Sequence, residues 1–241
     1  TSTASQRLAF QEAAVQFEKA AEFYLRHARV VTISDDDMFG ANLWQAATSY
    51  DKAQQWKKAI QVYAEFVKAR PADPRQLEAM NHLAIAYQAD AQYEAAASLF
   101  EQLITEHPKS PEAYASLVPL ARCRVALARD EDAVRVLLNV LTDHPSIRPD
   151  SQQYREAMVE LSKLFYRQQR FEEAIERLNE AIERFGNSAD GATLRFMLAD
   201  TYRQSIEQID KALSEPLTQT KRLSHQDERA RRLEQAQIYY N

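Results

Sequence analysis

Between residues 80 and 108 the apolar side chains fall at Met80, Leu83, Ala84 and Tyr87, and then, after a break, at Tyr93, Ala96, Phe100 and Leu103. Spacings of three and four put each group on one face of an α-helix, so the stretch predicts two helices joined by a short turn. Pro108 follows, a residue that cannot continue a helix. The pattern returns at a fixed distance: Ala59, Ala96 and Ala133 are 37 residues apart, and so are Pro71, Pro108 and Pro145. One packing residue and one helix-ending residue with a single period describe a stack of like units rather than one globular core.

The same frame fits upstream at Leu43, Ala46, Ala47, Tyr50, Trp56, Ala59, Tyr63 and Phe66, and downstream at Met158, Leu161, Ser162, Phe165, Phe171, Ala174, Leu178, Ala181 and Gly186. In the third unit Leu117, Leu120, Ala121, Leu137 and Val140 are in place, with Arg124 where the others carry an aromatic ring. Leu198, Ala199 and Tyr202 mark a fifth first helix; Phe10, Ala13, Phe17 and Ala20 mark a second helix with no first helix before it; Ala236 and Tyr240 mark the start of another. Both ends thus cut through a unit, the expectation for a fragment of a longer array. Asp73 and Ser110 are predicted N-caps with Pro74 and Pro111 at the first helical position. Two insertions break the period: an acidic turn over Ser34 to Asp37, and Ser214 to Gln226, with Ser224-His225-Gln226-Asp227 readable as a capping box.

Met80-x-x-Leu83-Ala84-x-x-Tyr87 followed by Ala96-x-x-x-Phe100 and Pro108 resembles the tetratricopeptide repeat, whose first helix carries Trp-x-x-Leu-Gly-x-x-Tyr and whose second carries Ala-x-x-x-Phe before a proline. The resemblance implies an all-α chain, a right-handed α-α superhelix of about ten to eleven helices. It divides the chain into an incomplete repeat over residues 1–33, four repeats over 35–72, 73–109, 110–147 and 150–187, and a partial, insertion-containing repeat over 188–241. The wording Leu103-Ile104-x-x-His107-Pro108-x-Ser110-Pro111-x-Ala113 is similar to repeats of bacterial cell-envelope proteins, which implies a periplasmic or envelope setting over the cytoplasm.

Composition fits. Glycine occurs three times, at Gly40, Gly186 and Gly191, all between or at the ends of periodic segments. A net charge of -5 argues against a nucleic-acid surface, which normally carries a basic excess. With the single cysteine Cys123 no intrachain disulfide can form. No apolar run reaches the ~18 residues that would span a bilayer.

No motif for catalysis is present: no Gly-rich phosphate loop, no Gly-x-Ser-x-Gly, no His-Glu-x-x-His and no cysteine pair for zinc. The chain reads as a non-enzyme without cofactor or metal. His107 and His144 recur at the ends of second helices, where a histidine can meet the last carbonyls. Asp35-Asp36-Asp37 lacks the alternation of a calcium loop and reads as helix capping. Pro119 lies inside a helix that Pro111 begins, and either kinks or merely bends it. The basic run from Lys221 through Arg232 is broken by Asp227 and Glu228 and reads as a solvated face.

The resemblance also implies a concave face lined by first helices. The positions it marks hold Trp44, then Asn81 and His82, then Arg122, then Lys163, Tyr166 and Arg167, then Phe196 and Arg203. Trp44 and Thr48 stand where the subset that clamps a C-terminal carboxylate has lysine and asparagine, so that mode of binding is not expected. Aromatic rings with arginine suit an acidic or amphipathic peptide. The expectation is therefore a protein-binding scaffold; the alternatives are an array that self-associates through its open ends or spaces other domains, and a regulatory region of an enzyme outside these residues.

Overall fold

A computed structural model describes residues 3–31, 35–142, 147–188 and 191–240 of the chain. Ser34, Asp143, His144 and Pro145, which carry parts of the predicted acidic turn and of the third unit's end, lie outside them. The described residues form eleven α-helices and no strand, so the fold is all-α. Packing divides the chain into two compact units, Thr1–Arg129 and Asp130–Asn241.

In the first unit α1 (Thr3–Val31), α2 (Asp36–Lys52), α3 (Trp56–Ala69), α4 (Gln76–Ala89), α5 (Tyr93–Glu106) and α6 (Pro111–Ala126) each pack on the next, and α4 also meets α6. In the second, α7 (Asp130–Thr142), α8 (Gln152–Arg167), α9 (Phe171–Phe185), α10 (Gly191–Ser214) and α11 (Gln219–Tyr240) pack in sequence. The periodic alanines Ala59, Ala96, Ala133 and Ala174 all have zero exposure. A methyl group takes little room in a packed helix face, and within their own units Tyr63, Phe66, Phe100, Leu103, Leu137, Met158, Leu161 and Leu178 are buried with them.

The turn inside each hairpin repeats to the atom. The N–H groups of Gln54, Ala91, Ala128 and Gln169 donate to the carbonyls of Asp51, Gln88, Val125 and Tyr166. Those of the following residues Gln55, Gln92, Arg129 and Arg170 donate to Tyr50, Tyr87, Arg124 and Phe165. This paired pattern is the Schellman ending, which needs one residue in the left-handed region and usually takes glycine there. Gln54, Ala91, Ala128 and Gln169 instead adopt φ of 55°, 59°, 57° and 57° with a Cβ in place. The turn from a second helix to the next first helix also repeats: Arg70 and His107 close their helices on Phe66 and Leu103, and Asp73 and Ser110 then donate back to Arg70 and His107. Gly191 answers a local constraint, since a Cβ there would lie 1.9 Å from the Gly186 carbonyl oxygen.

Helix starts agree with the sequence reading at Asp35 and Ser110, whose side chains accept from the N–H groups of Met38 and Ala113 at 3.0 Å each, and Ser151, which that reading did not mark, caps α8 by accepting from Tyr154 at 3.2 Å. The expected cap at Asp73 is corrected. Its carboxylate accepts from the Arg75 N–H and from the Arg75 guanidinium, each contact at 2.9 Å, and α4 begins only at Gln76. Arg70 completes the cluster, bonded to Asp36, to Asp37 at 3.0 Å and to the Asp36 carbonyl at 3.0 Å, so two of the three acids in the run pair with arginine. The C-terminal boundary is corrected too. The last two helices are separated by residues 215–218 rather than by Ser214 to Gln226, Ser224 lies inside α11, and the Thr218 hydroxyl accepts from Lys221 at the helix start. Ala236 is buried well inside that helix and does not begin it.

Two stability tests follow. Ala91→Gly removes the left-handed penalty of a Cβ and is expected to raise stability by about 0.5–1 kcal/mol, read from the urea midpoint at unchanged slope. For Asp73, hydrogen bonds from Arg75 outweigh burial and hold the carboxyl at about 2, against 3.8 when unperturbed. Because the folded value is the lower one, the pair stabilises the protein above pH 3.8 and that stabilisation is lost as pH falls through 2. Asp73→Asn should therefore be less stable than wild type at neutral pH, with the difference closing towards pH 2.

Candidate functional site

Each unit brings some of the expected first-helix positions together. In the first unit Trp44 on α2 is half-buried, drawn onto the core: its ring meets Tyr63 at 6.0 Å, Phe66 at 5.7 Å and His82 at 5.9 Å between centroids. His82 on α4 stacks on Tyr63 at 5.5 Å with an interplanar angle of 11°, and its Nδ1 lies 3.5 Å from the Asp51 carboxylate. The Arg75 guanidinium, oriented by Asp73, covers Trp44 at 5.6 Å and Phe66 at 5.4 Å. Tyr63 is fully buried, and burial pushes its phenol far up. These rings are fixed by packing on several sides, which lowers the entropic cost of presenting them.

Two rungs tie α4 to α6. The Asn81 amide donates to the Ser116 hydroxyl at 3.0 Å, and the Gln88 amide donates to the Pro119 carbonyl at 3.0 Å and the Cys123 sulfur at 3.2 Å. Asn81 is thereby used between helices, and α6 runs unbroken through Pro119. Burial pushes the Cys123 thiol up to about 11 although the Gln88 contact opposes it, so the sulfur is unreactive at neutral pH. Arg122 stands exposed on α6.

In the second unit the centre is Asp200 on α10. It accepts from the Tyr166 hydroxyl on α8, from Gln204 Nε2 at 2.8 Å, from Arg203 Nε at 2.8 Å and from the Tyr240 hydroxyl at 3.3 Å. Burial works to raise its carboxyl, but the bonds from Tyr166, Arg203 and Gln204 together outweigh it and hold the group below the usual range. The bond to Asp200, with burial second, raises the Tyr166 phenol. Phe196, one turn earlier, is 61 % exposed and touches Tyr240 edge-on at 6.0 Å. Lys163 lies 3.4 Å from Glu160, and Arg167 is exposed at the end of α8. Beside Gln204 an open cavity of about 380 Å³ is bounded by Gln169, Phe171, Glu207, Gln208 and Lys211.

Sequence reasoning missed Gln204, whose only signal is its place one turn after Asp200, and Tyr240 as a contact of Phe196 and Asp200. Chemically, the second unit offers an exposed ring and an ion-paired carboxylate that meet at Tyr240. Among the described residues no group of three His, Cys, Asp or Glu side chains could hold a metal, and no helix is long and apolar enough to cross a membrane.

A family model described as tetratricopeptide repeat matches residues 45–111 and 159–218, and a second with the same description matches 87–152. No curated protein matches the chain. Among solved structures, BtubC (BKLC) from P. vanneervenii superposes with a TM-score of 0.63 at 16% identity, covering 96% of this chain and 91% of that one. A Podosopora anserina protein with nearly identical TPR-like repeats gives 0.57 at 21%, covering 83% and 94%. A tetratricopeptide repeat protein from Parabacteroides merdae gives 0.55 at 14%, covering 92% and 91%.

One test isolates the Asp200 network. Tyr166→Phe removes a hydrogen bond that favours the ionised carboxylate, so the Asp200 titration midpoint, followed by its carboxyl carbon resonance, should move up in pH.

Proposed function

The chain belongs to the tetratricopeptide repeat family, and on that premise we propose that it is a non-enzymatic scaffold holding an acidic or amphipathic protein segment against the faces of its first helices. Repeats of this family mediate protein–protein interactions. The observation that carries the finer reading is that Phe196, exposed over more than half its surface, and the Asp200–Arg203 ion pair further along α10 share one neighbour, Tyr240. An exposed ring and an arginine on one helix are the composition of an interface anchor for a segment carrying an apolar side chain and a carboxylate. In the first unit the half-buried Trp44 and His82 rings pack on Tyr63, and Arg122 lies exposed on α6. The net charge of -5 supports a protein partner over a nucleic acid.

The reading is tested by screening peptides of graded charge and aromatic content against the purified chain by fluorescence anisotropy. Acidic peptides with an aromatic residue should bind. Arg122→Glu should weaken capture by the first unit, and Lys163→Glu with Arg167→Glu capture by the second, each by about tenfold or more. Binding unchanged in all three charge reversals overturns the proposal.

A further inference from the structure

The last helix wears its amphipathicity inside out. Towards its neighbours α11 presents Arg229, held by Asp210 at 2.6 Å; Arg232, held by Glu172 and by Glu228; and Tyr239, stacked on Tyr202. Arg232 and Ala236 are its buried residues. Away from them it presents Leu223, Gln226, Ala230, Leu233 and Gln237, every one exposed, while Tyr240 at the end turns back onto Phe196 and Asp200 of α10. These five alternate by three and four from residue 223 to residue 237, the repeat of a two-stranded coiled-coil seam, and none is charged although charges crowd the rest of α11. The outward stripe of α1 differs: between Leu8, Val15, Phe23 and Val30 it carries Glu12, Lys19 and Arg26.

We propose that this stripe is a self-association surface, on which α11 pairs in parallel register with α11 of a second copy. Charge selects the partner and its direction. Arg222 and Arg229 flank the stripe on one side, Asp227 and Glu234 on the other. In a parallel pair the flanking side of one helix faces the opposite side of the next, five residues on, which sets Arg222 against Asp227 of the other copy, Arg229 being held by Asp210 of its own chain. Antiparallel pairing, with Gln226 opposite Gln237, would set Asp227 against Glu234, acid against acid. Gln226 and Gln237 would meet their own counterparts across the dyad, where an amide is both donor and acceptor, and this fixes the register. A seam this short, with two glutamines and an alanine, makes a reversible dimer.

Sedimentation equilibrium of the full chain, followed over about a hundredfold range of concentration, should show the mass rising from monomer towards dimer. Leu223→Glu with Leu233→Glu should remain monomeric throughout while keeping the helical circular dichroism and melting of wild type, since both leucines are exposed. In a Cys123→Ala background, Gln226→Cys should cross-link to itself under mild oxidation, because only a parallel in-register pair brings the same position of two copies together. A wild type that stays monomeric, a dimer that survives the two glutamates, or a dimer without the Gln226→Cys cross-link each overturns the proposal.

Discussion

Both units depend on how closely two helix backbones approach at a fully buried alanine. With only a methyl group at Ala59, Ala96 and Ala174, the hairpins α2–α3, α4–α5 and α8–α9 close tightly enough for their Schellman turns to form, and the ring or leucine four residues on fills what the methyl leaves. The turn depends on the contact, because its left-handed residue is not glycine and the surrounding packing must hold it there. Strain in the turn and density at the alanine are two readings of one constraint.

That constraint also sets where polar side chains can meet. Once hairpins stack at a fixed spacing, residues about one repeat apart become neighbours: Asn81 with Ser116, Gln88 with Cys123, Arg129 with Glu94, and Tyr166 with Asp200. Each pair joins one hairpin to the next, so polar groups act as rungs between units of a design whose cores are apolar. Asn81 and Tyr166 therefore tie the first helices of successive hairpins together.

The helices were legible in the sequence because the packing alanine, the ring after it and the helix-ending proline are all local signals. Ser110 was legible as a cap for the same reason, with proline at the next position and no competing partner for its hydroxyl. Asp73 has the same spelling, but Arg75 takes its carboxylate, and two neighbouring polar groups compete in a way no motif records. The start of α11 went unseen because its inward face is charged, so the apolar period that marks a packed helix is absent where it was sought. Trp44 was placed on the correct helix, but the rings that hold it come from α3 and α4, and only the stacked structure shows them. Tyr240 was legible as a helical residue and not as a neighbour of Phe196.

The inward face of α11 gives the second unit an edge of different physical character. The other helices of that unit are joined by apolar carbon such as Leu161, Leu178 and Leu198, and α11 is clasped by Arg229 and Arg232. Screening weakens exposed ion pairs over a Debye length of about 8–10 Å and leaves apolar contacts intact. How firmly α11 sits on its unit is therefore in part a property of the medium: concentrated electrolyte loosens the exposed Arg229 clasp, while the buried Arg232 and Ala236 and the Tyr239–Tyr202 stack keep their hold.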